Sequence, residues 1–502
     1  MPNPSPSDTV EHARHAFLAW SGLTASARAG AMVALADALD ARRDEIIAAA
    51  AAETALFTSE LAPEFARMTG TFRRFAEAVE RGAWRICAID HAQPAGAALL
   101  VGPGHDVRRT LVPLGPVAVF GASNFPLAYG VCGGDTASAL GAGCSVVVKE
   151  HPAHPGTGRL IHSIAAAALC GAGAPGAGSL AGVLSYVRHE DPNDHGVAQQ
   201  LVQHPAVAAV GFTGSIPGGL AVERLARERS VPIPVFAEMG SVNPVFITPG
   251  AMRARAEEIA DLIADAVLAR HGQQCTCPGV VFFEDCPGAV RFTGRVRGRW
   301  EASAPRDMLA AWVRSAYDRR AEELRAAGAS LLASGRAPGS TGRRAAGALL
   351  WSSTLEGWNA DATVRGECFG PSLILVPLRS WSGAERAVLG GNLTLSLFLD
   401  RSDPADVSRV RRVLASHAAC AGRIVYNGVP TGVRVCSAMV HSGPFPACNR
   451  PDTTAVGPNA LTRWCRPVCH QNCPQELLPP ELQDAGAPGT ARYVDGRLRG
   501  AD

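Results

Sequence analysis

The chain is expected to be an α/β protein built on a doubly wound parallel sheet, and three observations predict this. Short apolar runs without alternation, Pro116-Val117-Ala118-Val119-Phe120 and Cys144-Ser145-Val146-Val147-Val148, read as strands buried on both faces. Segments of helical length lie after them, over 127–140 and 158–169, so strand and helix alternate. Glycine-bearing turns stop the strands, at Gly121 and at Gly211-Phe212-Thr213-Gly214-Ser215. In such a sheet ligands sit beyond the carboxyl ends of the strands.

The 502 residues exceed one small domain, and at ~150 residues per domain they suggest two to four units. Hydrophobic residues make up 47% and charged residues 18%, with 47 Lys and Arg against 45 Asp and Glu, so no strong field favours nucleic acid or an anionic membrane. A small molecule suits this surface better. Fourteen cysteines scattered over the chain read as thiols in a reducing compartment. No secretory signal and no run of ~20 apolar residues is visible, so a cytoplasmic protein is expected.

In order along the chain, residues 11–84 carry apolar side chains at helical spacing through Met32, Leu35, Leu39 and Ile46. Further buried strands are expected at 182–186 and 206–212, and a second unit opens at Val245-Phe246-Ile247. Helices fit 252–270 and 307–328, with a strand over 372–377. We place a cofactor-binding domain at 10–237, with 106–115 as a strand used in oligomerisation. A catalytic domain follows at 238–458, then an oligomerisation arm at 459–486 and a tail at 487–502.

The residues that could carry chemistry cluster at turns. In His271-Gly272-Gln273-Gln274-Cys275-Thr276-Cys277-Pro278 a polarizable sulfur stands in a loop, where catalytic groups tend to be held; the plain alternative is a pair of buried, inert thiols. Asn124 and Lys149 both end buried strands, where an amide can donate to an oxyanion and an ammonium can bind ribose or phosphate. Either could equally be a turn or strand-end residue. Gly214 and Ser215 lie between a strand and a helix, a place suited to an anion, although the glycine spacing is not that of a usual dinucleotide fingerprint. Glu238 closes another strand and could act as a base toward water, and Glu367 stands beside Phe369 on a loop; capping and ordinary turns are the alternatives. Cys465, Cys469 and Cys473 with His470 match no zinc or iron–sulfur spacing closely, and no metal is expected.

Taken together, SNFP (123–126), VVVK ending at Lys149, GFTGS (211–215), EMGS (238–241), GQQC ending at Cys275 and ECFGP (367–371) resemble the aldehyde dehydrogenase superfamily over nearly the whole chain. FGASNFPLA, GGDTASALGAG, KEHPAHPGT, GSVNP, PTGVRV and RPVCHQN resemble the branch holding 2,5-dioxopentanoate (α-ketoglutaric semialdehyde) dehydrogenases. The resemblance implies a Rossmann-type cofactor domain, a second α/β catalytic domain and an arm joining a homodimer or homotetramer. It implies Cys275 as nucleophile, Glu238 as base, and Asn124 with the Cys275 N–H as oxyanion hole. Lys149 and Glu367 would hold the cofactor riboses, Ser215 with Gly214 the pyrophosphate, and Phe369 the nicotinamide side, with Phe125 against the substrate.

Two departures matter. Many NAD-preferring relatives have Glu three residues after the strand-end lysine; this chain has Pro152, which removes repulsion against a 2′-phosphate and favours NADP over NAD, with Arg188 as a phosphate partner. Cys277 stands where close relatives more often have Asn, either as filler or as a partner in a reversible disulfide. The expected reaction is oxidation of a small dicarboxylic semialdehyde through a cysteine thioester, with Arg434 as the cation for the far carboxylate. The alternatives are a dehydrogenase of medium-chain or other simple aldehydes and a catalytically silent binding protein. Replacing Cys275→Ala is expected to abolish NAD(P)H formation from any aldehyde, read by absorbance at matched enzyme concentration.

Overall fold

The computed structural model describes residues 4–94, 104–172, 180–189, 191, 195–337, 344–486 and 491–500. Four helices open the chain, Pro6–Ser21, Ala25–Asp40, Arg43–Glu53 and Thr58–Arg81. Ser5 and Thr24 cap the first two by accepting from Asp8 N and Ala27 N. The fourth buries Leu61, Phe65, Met68, Phe72, Phe75 and Val79, a three-and-four spacing that makes one apolar face, and it ends at Gly82 in the left-handed region (φ 66°).

These helices lie on a five-stranded, all-parallel sheet ordered Leu184–Val187, Val146–Lys149, Val117–Phe120, Ala209–Thr213, Val235–Glu238. The strand that comes first in the chain is central, and the direction of winding reverses between it and Ala209–Thr213, so the carboxyl ends open into a crevice there. Asn124, Lys149, Arg188, Ser215 and Glu238 all lie at or just beyond those ends.

The second sheet has seven strands, ordered Ser330–Ser334, Leu349–Ser352, Ser372–Leu378, Val280–Glu284, Val245–Ile247, Asn392–Phe398, Ala421–Tyr426. Its pairings are parallel except that between Ser330–Ser334 and Leu349–Ser352. Here the chemistry-bearing loops precede strands: Cys275 comes before Val280, Glu367 before Ser372 and Asn243 before Val245. The second sheet thus offers the amino ends of its strands where the first offers carboxyl ends.

A third sheet is ordered Cys465–Gln471, Val107–Pro113, Cys87–Asp90, Arg492–Val494, Arg497–Arg499. The segments expected separately as oligomerisation strand and arm pair with each other, antiparallel, from Cys465 against Pro113 to Gln471 against Val107. Of the tail expected over 487–502, two strands belong to this sheet. Cys465 and Cys469, four residues apart on one strand, are separated by ~13 Å, too far to share one ion. Among the described residues no His, Cys, Asp and Glu group could hold a metal, and no helix is long and apolar enough to cross a membrane. All fourteen cysteines are free thiols.

Two boundaries differ from the sequence reading. The helix expected over 127–140 begins only at Gly134, because 126–133 is folded into tight turns in which a side chain on Gly130 would meet Pro126 O. The start of the segment expected over 459–486 is not extended: Pro458–Trp464 is a 3-10 helix whose Ala460, Leu461 and Trp464 are buried in the core under the first sheet. The Trp464 ring meets Phe236 edge-on at 5.1 Å and its Nε1 donates to Ser138 Oγ at 2.8 Å, so one side chain ties the start of the Cys465–Gln471 strand to the first sheet and its helix. Trp464→Ala is expected to cost ~3–5 kcal/mol of stability, a fall in thermal midpoint readable by calorimetry.

Candidate active site

The cysteine loop starts from an improbable backbone. After the helix Pro249–Leu268 three consecutive residues, Arg270 (φ 48°), His271 (φ 55°) and Gly272 (φ 67°), take the left-handed conformation. For the first two this costs ~1–2 kcal/mol each and must be held by contacts. Arg270 Nη2 donates to Glu64 Oε2 at 2.6 Å and to Asn124 O at 2.8 Å, its backbone N–H meets Glu60 Oε1 at 3.2 Å, and the guanidinium lies 4.2 Å over the Phe125 ring. His271 Nε2 is 3.0 Å from Ala346 O, and burial lowers its pKa to about 4, which keeps the ring neutral and the Nε2–H a donor. Gly272 is required: a Cβ there would stand 2.1 Å from Gly370 O, on the loop that carries Glu367.

From this start the loop is pinned on both sides of Cys275. Asn124 Nδ2 donates to Gln273 O at 3.0 Å, which leaves its second N–H for another acceptor. Gln273 Oε1 accepts from Leu309 N. Asn243 Nδ2 spans the far side, donating to Cys275 O at 2.8 Å and Cys277 O at 3.0 Å, while Asn392 Oδ1 accepts from Val242 N and Asn243 N. Cys275 Sγ lies 3.8 Å from His441 Nε2. Burial, then the carboxylates of Glu238 and Glu367, push the Cys275 thiol up to about 12. Burial and the guanidinium groups of Arg67, Arg423 and Arg463 lower His441 to about 3, so the imidazole beside the thiol is neutral. Cys277 is also pushed up by burial; it packs against the core of the second sheet and lines a cavity with Cys368 and Phe369.

Glu238 is buried, its Oε2 has no hydrogen-bond partner, and desolvation raises it far above the ordinary carboxyl range although Arg463 pulls the other way. Arg463 itself is bound to Asp135 at 2.6 Å. Glu367 is raised to about 7 by burial, its carboxylate set against Gly240, where a Cβ would be 2.5 Å from Oε2, and receiving the Ser241 backbone.

A dinucleotide fits the crevice on three observations. Ser215 caps the helix Ile216–Arg227 by accepting from Gly218 N at 3.3 Å, presenting a helix N-terminus at the crevice. Gly240 leaves room that a side chain would fill beside Glu367, and Gly214, whose N–H donates to Glu238 O, lies against the Phe212 ring, so the backbone is bare where a phosphate would approach. Lys149, the single lysine of the sequence, sits half-buried at its strand end and donates to Glu150 O at 3.0 Å. Register places Val187 beside Lys149, so exposed Arg188 follows at the same end of the sheet. Buried Glu150 is clasped by Arg159 at 2.7 and 2.9 Å, which neutralises the carboxylate nearest Lys149.

Cys275, Asn124, Glu238, Glu367 and Phe369 are therefore drawn from two sheets into one region, with Phe125 held between Arg270 and Tyr129 at its edge. Arg434 has an exposed side chain, on the loop whose Val433 carbonyl accepts from Arg67. Arg270, Asn243, His441 and Arg67 were missed by sequence reasoning. Asn243 lay within the GSVNP stretch and its φ of 50° is one that Asn tolerates, but the others carried no spacing signal.

The structure thus sets a thiol loop against the carboxyl end of a doubly wound sheet, the place where such sheets take a dinucleotide. Residues 6–388 match the model of the aldehyde dehydrogenase family. Alpha-ketoglutaric semialdehyde dehydrogenase 2 of Azospirillum brasilense is 42% identical, covering 97% of this chain and 90% of its own, and alpha-ketoglutaric semialdehyde dehydrogenase of Acinetobacter baylyi is 36% identical with the same coverage. Among solved structures, a lactaldehyde dehydrogenase superposes with a TM-score of 0.77 at 19% identity, covering 94% of this chain and 92% of its own. The chain belongs to the aldehyde dehydrogenase family and is an NAD(P)-dependent enzyme that oxidises an aldehyde.

Because Glu367 is raised to about 7 against an ordinary 4.5, its contribution to stability is fully present below pH ~4.5 and lost as pH rises through 7. Glu367→Gln should therefore gain thermal stability over the parent as pH is raised from 5 to 8, measured as the difference in midpoint at each pH.

Proposed function

We propose that the enzyme oxidises a small dicarboxylic semialdehyde, such as 2,5-dioxopentanoate to 2-oxoglutarate, and prefers NADP to NAD. The observation that carries the chemistry is the pinned Cys275 loop, with the Asn124 amide on one side and an unpartnered, buried Glu238 oxygen in reach of the same thiol's field. The substrate class is supported by the two near full-length relatives, whose names give α-ketoglutaric semialdehyde.

The Cys275 thiol gives up its proton through ionised Glu238 to solvent, its sulfur adds to the aldehyde carbon, and the alkoxide that forms would be held by the spare Asn124 N–H and the Cys275 backbone N–H. A nicotinamide, when bound, would supply positive charge and take up the hydride that leaves the former aldehyde carbon. A thioester on Cys275 remains. Glu238, kept protonated below neutrality by burial, takes a proton from water once ionised and so directs hydrolysis to the carboxylate. Lys149 and Glu367 would hold the riboses and Ser215 the pyrophosphate. Pro152 brings no carboxylate and Glu150 is paired with Arg159, which lowers repulsion against a 2′-phosphate, and Arg188 would supply a cation. The sheet joining 107–113 to 465–471 supports a homodimer or homotetramer, its Cys465–Gln471 strand standing at the edge.

The test is NADH and NADPH formation over 2,5-dioxopentanoate, succinic semialdehyde and plain aldehydes of equal length. A kcat/KM at least tenfold higher for the carboxylated aldehydes, and higher with NADP, is expected. Equal rates for the two aldehyde classes would overturn the substrate assignment, and a preference for NAD would overturn the cofactor preference.

A further inference from the structure

Resting on the semialdehyde reading, we propose that Arg67, on the helix Thr58–Arg81, receives the far carboxylate of the substrate. The argument is one of position and of pairing. From Cys275 Sγ, His441 lies at 3.8 Å; the His441 ring is 6.4 Å from the Tyr129 ring; and the Arg67 guanidinium is 5.9 Å over Tyr129, with Nη2 3.4 Å from its hydroxyl. Phe125, beside the oxyanion donor Asn124, packs edge-on against the same Tyr129 at 5.7 Å. These side chains form one wall leading away from the thiol. At its far end a cleft is lined by Arg67, Thr71, Ala128, Tyr129, Val435 and Ala455.

The other cations near the thiol are committed. Arg270 is bound to Glu64 and Arg463 to Asp135. Arg423 spends its donors on Thr394 Oγ1 and the carbonyls of Pro430 and Gly432. Arg67 is half-buried, and among the described residues no carboxylate lies within ion-pair distance; its partners are the Tyr129 hydroxyl and Val433 O. Arg67 uses two of its five N–H donors where Arg423 uses four, so a planar fork is left on Arg67 for a carboxylate. A five-carbon semialdehyde spans roughly 5 Å between its end carbons, four zigzag bonds of ~1.5 Å, so its far carboxylate falls along the wall of the His441 and Tyr129 rings, and the Arg67 side chain comes to it from the helix. Arg434, the residue expected from sequence, lies next to Val433, whose carbonyl Arg67 grips; the loop is brought to the site and the cation comes from the helix.

The experiment compares kcat/KM for 2,5-dioxopentanoate with that for pentanal in the parent, Arg67→Met, Arg67→Lys and Arg434→Met enzymes. The carboxylate-to-plain ratio should fall about 30-fold in Arg67→Met, mostly through KM, and recover in part in Arg67→Lys. Turnover of pentanal reports a folded enzyme. Should Arg67→Met be insoluble, Arg67→Lys carries the test, with a ratio between parent and unity expected. A parent with no preference for the carboxylated aldehyde overturns the substrate reading and this proposal with it. A parent with the preference, retained in both Arg67 variants, overturns Arg67 alone, as does a ratio lost in Arg434→Met instead.

Discussion

Arg270 and Glu64 meet where water is excluded, and the site hangs on that pair. Glu64 stands on the helix Thr58–Arg81 and receives Leu127 N and Ala128 N on one oxygen and Arg270 on the other. Arg270 in turn grips the Asn124 carbonyl and covers Phe125. One ion pair therefore joins the N-terminal helices, the loop that bears Asn124 and the loop that bears Cys275. Desolvating two charges costs several kcal/mol, and the arrangement is tolerable only because each is met by further donors or acceptors. Its product is geometry: the left-handed turn at 270–272 would not hold without it, and Cys275 is three residues on.

The two sheets contribute in opposite senses. In the first, residues past the carboxyl ends of strands face the crevice, as winding topology requires. In the second, the residues that matter come just before strands. The amide side chains of Asn243 and Asn392 replace the regular ladder there, binding the backbone of the cysteine loop to the strand starts. Cys275 is thus fixed by side-chain amides on one face and a buried ion pair on the other, while the crevice side at Gly214 and Gly240 rests on bare backbone.

How much of this was legible follows from range in sequence. Buried strands show as apolar runs, so Asn124, Lys149 and Glu238 could be placed at strand ends from local pattern alone, and the α/β class with them. The helix expected over 127–140 failed at its start because Gly130 and Gly133 read as tolerable within a helix, whereas close backbone approach folds them into turns. Arg270, Arg67 and His441 were illegible for another reason. Their partners are 206, 62 and 166 residues away, and nothing in the neighbouring residues of an Arg or His announces a contact at that distance.

The near-absence of lysine has its own consequence. With 46 of the 47 cations as arginine and Lys149 alone at the crevice, the chain carries one side-chain amine, placed where we assign the cofactor. Guanidinium groups do not acylate under conditions that modify amines, so among the side chains an amine reagent finds only Lys149, the α-amino group being its one other target. Attachment to a support through lysine would block the crevice, and chemical protection of that one amine would report what is bound there without any mutation.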